Sequence, residues 1–427
     1  MPLAFSARTD RSLIRAGAHS TRYVLVQLTA PAAEQRAEPR PVNLALVLDR
    51  SGSMAGERKF DLARQAVERA LRALRPIDRF SLVVYDDSID VLTPSTPASR
   101  EAVSRALDSL GAIGPGGSTD LSGGWLRGCE QVAEFLGGGA IDRCLLLSDG
   151  LANRGITDRH ALAEHAGELL RRGVATSTFG VGGDFDERLM HDLAHEGGGN
   201  FYFIESAQDI PRIFSSELGE ALEVTVRSAA LQVVLPPGAD AEPLHRFRSR
   251  RVTGDNELHI ELGDLVSNQE LAVVVRVTFA RGAEGEQATV RLAMPGDGLL
   301  DDRAEAELTW RYASHAANDS QPRDQVVDRE VAKLYAARAR ADATEANRHG
   351  QFDAARRVLE RTAARIGTYA AGDPELMNTA RMLCESVSQF GERAMSPMAL
   401  KESYFAAAVE SKARTYDGTA RRGPRDR

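Results

Sequence analysis

The sequence predicts an α/β fold, a doubly wound and mostly parallel sheet, accompanied by a β-sandwich and a C-terminal α-helical region. Three observations carry the prediction. Leu44 to Leu48 form an uninterrupted apolar run that stops at Asp49, as expected of a strand buried on both faces that delivers a functional group to a sheet edge. From Val42 to about Leu218, short apolar runs alternate with amphipathic stretches at the spacing of a parallel sheet. Beyond residue 223 the pattern changes to short runs split by turn residues, and beyond residue 323 to an Ala- and Arg-rich helical periodicity.

A chain of 427 residues exceeds one ordinary core, so two or three domains are expected. A formal net charge of -8 argues against general nucleic-acid or membrane-surface binding. Cys129, Cys144 and Cys384 are scattered and odd in number, which indicates neither a disulfide framework nor a zinc site. The first residues show no basic segment followed by an apolar core, and no apolar run approaches the roughly 20 residues that span a bilayer. A reducing, cytoplasmic location is the expectation.

In order, Leu3 to Ala7 and Tyr23 to Leu28 read as strands within residues 1–30 that pair with strands from elsewhere, because they are too few for a core. Residues 31–41, with three prolines among polar residues, read as a linker. In 42–218, strands are expected at Leu44 to Leu48, Phe80 to Tyr85, Ile89 to Thr93, Cys144 to Leu147, Ala175 to Val181 and Phe201 to Ile204. Between them come helices at Phe60 to Leu74, with Leu62, Ala66, Ala70 and Leu74 on one stripe, and at Ser99 to Leu110 and Leu121 to Leu136. Arg159 to Arg172, Asp186 to His195 and Ile210 to Leu218 complete the set. Residues 219–312 read as a β-sandwich with turns such as Pro236-Pro237-Gly238 and Pro295-Gly296-Asp297-Gly298. A polar linker at 313–323 precedes helices in 324–415, and 416–427 read as a disordered basic tail.

Asp49, Ser51 and Ser53 follow the first strand at alternate positions, on a turn loosened by Gly52. Three oxygen side chains in five residues can converge on a small hard cation, although these residues alone read equally as a turn that caps the next helix. Two later segments decide. The glycine-rich loop Gly114 to Asp120 presents Thr119, and the strand from Cys144 ends at Ser148-Asp149-Gly150. All three segments open on the carboxyl edge of the sheet, where ligands of this architecture bind.

This ordered set resembles the von Willebrand factor A domain with its metal-ion-dependent adhesion site: Asp-x-Ser-x-Ser at Asp49, Ser51 and Ser53, a Thr in a glycine-rich loop at Thr119, and the Asp of Ser-Asp-Gly at Asp149. The resemblance implies a divalent cation, Mg2+ with Mn2+ or Ca2+ as alternatives, held by those five residues. It also implies a coordination position left for an Asp or Glu of another protein or of the same chain, and hence a recognition module and no enzyme. Leu262-Gly263-Asp264-Leu265 with Leu271 to Phe279 resembles, less specifically, an accessory β domain that follows the A domain in bacterial and plant proteins. The zinc-binding RING of the plant members is excluded by the scattered cysteines.

Competing motifs fail on particular residues. No Lys precedes Thr119, so Gly114 to Thr119 is no P-loop, and Phe185 stands where a dinucleotide fingerprint needs its third Gly. His191 and His195 have the spacing of a helical metal pair, but Asp192 stands where a zinc hydrolase carries Glu, and the pair reads as surface or helix-end residues. A phosphohydrolase with Asp49 as nucleophile usually needs a carboxylate two residues on, where this chain has Ser51. It remains the enzymatic alternative; a scaffold with an internally occupied site is the structural one. The C-terminal helices read as a small bundle on the β domain, with a docking arm as the other reading.

Overall fold

The structure, a computed structural model, describes residues 3–33, 40–252, 256–295 and 304–423. Most of the expected linker at 31–41 (residues 34–39), the turn residues Gly296 to Gly298 and the last four residues of the tail lie outside them. The chain divides into two compact units, one around residues 40–224 and one assembled from residues 3–33 and 225–416.

Three strands open the chain: β1 (Ala4–Thr9), β2 (Leu13–Arg15) and β3 (Ser20–Thr29). The α/β unit follows, with β4 (Val42–Asp49), α1 (Lys59–Ala73), β5 (Arg79–Tyr85), β6 (Ile89–Pro97), α2 (Arg100–Gly111), α3 (Leu121–Ala133) and β7 (Ile141–Ser148). It continues through α4 (Arg159–Arg171), β8 (Ala175–Val181), α5 (Glu187–Glu196), β9 (Gly198–Ile204) and α6 (Ile210–Leu222). Its sheet has the order β6-β5-β4-β7-β8-β9, parallel except for the edge strand β6. Every residue of β4 is buried, as its two-sided apolar sequence requires. The connection after β4 runs to β5 on one side and that after β7 to β8 on the other, so the carboxyl ends of β4 and β7 flank the topological switch point.

Packing places the helices closely. On α1 the buried stripe runs through Phe60, Ala63, Ala66, Val67, Ala70 and Leu71, while Leu62 and Leu74, expected on it, are half-buried at its margins. Gly124 and Gly128 let α3 lie against the sheet: a Cβ at Gly128 would stand 2.2 Å from Val47 Cγ2, and one at Gly124 2.4 Å from Tyr85 Cγ. Trp125 on the same helix is fully buried and donates Nε1–H to Thr176 Oγ1 at 3.1 Å. Glu217 on α6 is buried but hydrogen-bonded by Arg143, Ser177, Asn200 and Tyr202, which compensates the charge it carries into the interior.

The other unit adds β10 (Val224–Val234), β11 (Asp240–Pro243), β12 (Arg248–Val252), β13 (Glu257–Val266), β14 (Glu270–Phe279), β15 (Gln287–Met294) and β16 (Ala304–Ala313). Helices α7 (His315–Ser320), α8 (Gln325–Arg348), α9 (Phe352–Tyr369), α10 (Pro374–Gly391) and α11 (Pro397–Ser411) follow. Two sheets, ordered β1-β3-β14-β11 and β12-β13-β10-β15-β16-β2, share one core that includes Val24, Val26, Leu231, Val275, Val290 and Trp310. The N-terminal strands join both sheets, β3 against β1 and β14, β2 against β16, so in chain order the α/β unit is an insertion between β3 and β10. The alternate face of β3, Tyr23 and Leu25, packs on Val327, Val331 and Leu334 of α8, which makes β3 buried on both sides.

Two segments depart from expectation. Within 313–323, Ala313 ends β16 and His315–Ser320 form α7, held by the buried Asn318, whose Oδ1 accepts from Arg22 and whose Nδ2 donates to Asp319. Polar residues can order a short helix when a buried guanidinium needs their carbonyl groups. The described part of the tail is paired: Arg414 bridges Ala420, and the Glu270 amide donates to Arg421 O at 2.8 Å, so backbone pairing with the β14 end tethers it.

Candidate metal centre

The turn after β4 is shaped by its own side chains. The Asp49 carboxylate, fully buried, accepts the Ser51 amide on Oδ1 at 2.8 Å and the Ser148 hydroxyl on Oδ2 at 2.5 Å. Ser51 and Ser53 hydroxyl oxygens lie 3.1 Å apart, and Ser53 donates to Asp149 Oδ1 at 2.6 Å. Backbone bonds then lock the glycine-rich loop to this turn: the Gly116 amide donates to Arg50 O at 2.7 Å and the Gly52 amide to Gly117 O at 3.1 Å. Gly117 is required there, since its φ is +74° and a Cβ would fall 2.5 Å from Asp87 Oδ1. The third loop joins through Asn153 and Arg154, whose amides both donate to Thr119 O.

All five expected residues therefore meet. A Cβ built on Gly150 would lie 3.2 Å from Thr119 Oγ1, 3.8 Å from Ser53 Oγ and 3.9 Å from Asp49 Oδ2, so oxygens from two loops face one small space beside the third loop. The donors are hydroxyls and carboxylates without sulfur or imidazole, the set that a hard divalent cation takes and a soft one does not. Among the described residues no group of three or more His, Cys, Asp or Glu could hold a metal. Burial pushes the Asp49 carboxyl up to about 6; the neighbouring Asp149 charge adds to this, and the bonds from Ser148 and Ser51 oppose it.

Two residues were missed by sequence reasoning. Lys59, first residue of α1, is buried, and its Nζ donates to Asp149 Oδ2 at 2.7 Å. A cation in the first turn of a helix opposes the macrodipole, and that disfavoured placement is the signal that points to a nearby anion. Ser148 was read only as part of the Ser-Asp-Gly strand end. Arg50 closes the rim, paired with Asp86 at 3.1 Å and Asp90 at 2.7 Å.

His191 and His195 lie elsewhere. Their rings stack at 5.6 Å, and His191, expected as a surface or helix-end residue, is buried and packs at a near right angle to Phe201. The helix face that carries it turns toward β9, and packing on that aromatic strand accounts for the burial.

Residues 43–216 match the von Willebrand factor type A domain family. Relatives include the uncharacterized protein YfbK of Escherichia coli, 27% identical over 67% of this chain and 50% of its own length. Human inter-alpha-trypsin inhibitor heavy chain H4 is 30% identical over 37% of this chain and 18% of its own. The chain thus spans half of the first relative and under a fifth of the second. Among solved structures, a von Willebrand factor type A protein from Catenulispora acidiphila superposes with a TM-score of 0.75 at 18% identity, covering 98% of this chain and 97% of that one. The ArnB paralog VWA2 from Sulfolobus acidocaldarius gives 0.63 at 17% identity, covering 96% and 99%. At these identities the likeness is one of fold.

Proposed function

We propose, since residues 43–216 match the von Willebrand factor type A domain family, that this chain binds another protein through a divalent cation held at Asp49, Ser51, Ser53, Thr119 and Asp149. The observation that carries the proposal is the convergence of Thr119, Ser53 and Asp49 oxygens on the space beside Gly150. Mg2+ suits the set best, with Mn2+ and Ca2+ as alternatives, because the donors are hard oxygens in small number. When bound, the cation supplies an electrophilic point that an Asp or Glu of the partner can reach. The chain's own residues prepare that point. Asp49 accepts from Ser51 and Ser148, and Asp149 from Ser53 and Lys59, so part of each carboxylate's charge is already engaged and less of the ion's charge is cancelled.

Such binding breaks no bond, and assembly or regulation of a larger complex is its natural use. No described helix is long and apolar enough to cross a membrane. We place the activity in the cytoplasm, with a protein partner and neither nucleic acid nor membrane. Affinity capture with the full chain, in Mg2+ and in chelator, tests the proposal. Partners retained in Mg2+ are expected to disappear with chelator and with Asp149→Ala. A partner set unchanged by both overturns it. Steady hydrolysis of phosphate esters that is lost in Asp49→Ala would favour the enzymatic reading.

A further inference from the structure

The Asp149 carboxylate is shared between two groups of unlike kind. Its Oδ1 accepts from the Ser53 hydroxyl, and its Oδ2 accepts from the buried Lys59 ammonium at 2.7 Å. The lysine is held there by its surroundings. Glu57 and Arg58 directly before it adopt left-handed backbone angles, φ 51° and 57°, which turn the chain sharply from the serine loop into α1. Its ammonium then passes beside Gly182 after β8, where a Cβ would stand 3.6 Å from Nζ. Only 11% of the Lys59 side chain is exposed, and none of the Asp149 side chain.

We infer that Lys59 is a specificity-determining residue that makes this site select small six-coordinate cations over Ca2+. This selectivity rests on the metal site proposed above and on how many oxygens that site can offer. An ammonium fixed on Oδ2 leaves Asp149 able to present Oδ1 alone, and the Ser148 hydroxyl occupies Oδ2 of Asp49 in a similar way. Neither carboxylate can then bind through both oxygens. Ca2+ takes six to eight oxygens and commonly uses two-oxygen carboxylates, whereas Mg2+ needs six and keeps waters readily. Lys59 also cancels one of the two carboxylate charges, which weakens attraction for every divalent ion and preserves the ion's demand for a partner's carboxylate.

The test is calorimetric titration of the full chain with MgCl2 and with CaCl2, for wild type, Lys59→Met and Lys59→Arg, each checked for native circular dichroism. In Lys59→Met both ions are expected to bind more tightly, and the Ca2+-to-Mg2+ ratio of dissociation constants to fall by about tenfold or more. Lys59→Arg, which keeps the charge on Asp149, is expected to hold the wild-type ratio. A ratio unchanged in a folded Lys59→Met protein overturns the role of Lys59 and leaves the metal site standing; a wild type that takes neither ion overturns both. Where Lys59→Met does not fold, acetylation of wild-type lysines read by mass spectrometry decides. Lys59 is expected to stay protected with and without saturating Mg2+, with the more exposed Lys333 and Lys412 as references. Labelling of Lys59 on addition of Mg2+ would mean that the ion displaces the ammonium, and the inference fails.

Discussion

The Ser148 hydroxyl donates to Asp49 Oδ2 at 2.5 Å, joining the ends of the two central strands β4 and β7. It also accepts the Gly150 amide at 3.2 Å, so one serine both orients the carboxylate and shapes the loop that carries Asp149. Ser148→Ala removes a bond that holds the Asp49 carboxyl down against the effect of burial, and that carboxyl must then rise above about 6. Hydrogen bonds to charged groups are worth about 1.5–3 kcal/mol, equivalent to roughly one unit or more. Because Asp49 must lose its proton before it can face a cation, the pH at which half of the Mg2+ affinity is lost should move up by about one unit. Mg2+ titrations between pH 5.5 and 8 on wild type and variant check this; superimposable pH profiles would refute it.

Gly128 decides how closely α3 approaches the sheet. With Val47 Cγ2 at 2.2 Å and Cys144 Sγ at 3.3 Å from its would-be Cβ, Gly128→Ala forces the helix outward or distorts β4. Overpacking of this kind costs about 1–3 kcal/mol. Val47→Ala in the same chain removes the nearer obstacle and should recover part of the loss, a coupling that equilibrium urea unfolding of the single and double variants measures. Strict additivity of the two changes would show that the close approach is not what limits this site.

Much of this arrangement was legible in the sequence, for reasons that the residues make plain. Leu44 to Leu48 could only be a two-sided strand, the Asp-x-Ser-x-Ser turn and Asp149 sit where parallel strands must end, and Thr119 sits in a glycine-rich loop just before a helix. What was hidden is what depends on contacts distant in sequence. Lys59 looks like one more solvated charge until Asp149, ninety residues later, is folded against it. Strand β12 carries Arg248, Arg250 and Arg251 and shows no apolar alternation, because it is an edge strand largely exposed to solvent. β2 and β11 have three and four residues and are strands only by virtue of β16 and β14. α7 was read as linker because its ordering comes from Arg22, some three hundred residues away.

His245, in the unit built from two sheets, gives that unit a pH dependence of known sign. It is buried, its Nδ1 accepts the Val274 amide at 3.3 Å, and burial, with Arg338 and Arg421 nearby, lowers its pKa to about 3. The folded protein therefore refuses a proton that the unfolded chain takes up below its ordinary value of 6.5. Stability from this group is complete above that value and is lost as pH falls from there toward 3, at about 1.4 kcal/mol per unit. His245→Gln has nothing to titrate, so its stability relative to wild type should improve steadily between pH 6 and pH 4. Urea unfolding across that range provides the comparison, and a constant difference would contradict the assignment.

Asp49 predicts the opposite slope, and a reversal by metal. In chelator its carboxyl is held at about 6, above its ordinary 3.8, because burial disfavours the charge. The folded state thus retains a proton that the unfolded chain has released, and this contribution is fully present below 3.8 and lost as pH rises through 6. Above that pH the ionised side chain costs about 3 kcal/mol relative to a neutral one. Asp49→Asn avoids the cost while keeping size and some of the hydrogen bonding. In chelator, its unfolding temperature relative to wild type should therefore rise between pH 4.5 and pH 8. Saturating Mg2+ should reverse the order at pH 8, because a bound ligand stabilises the wild type by about 4.1 kcal/mol at a thousandfold excess over its dissociation constant, more than the cost of the charge. Calorimetric scans of both proteins at the two pH values, with and without Mg2+, separate the possibilities. Equal differences at both pH values would mean that Asp49 is ionised at no cost, and no reversal with Mg2+ would mean that its charge serves something other than a cation.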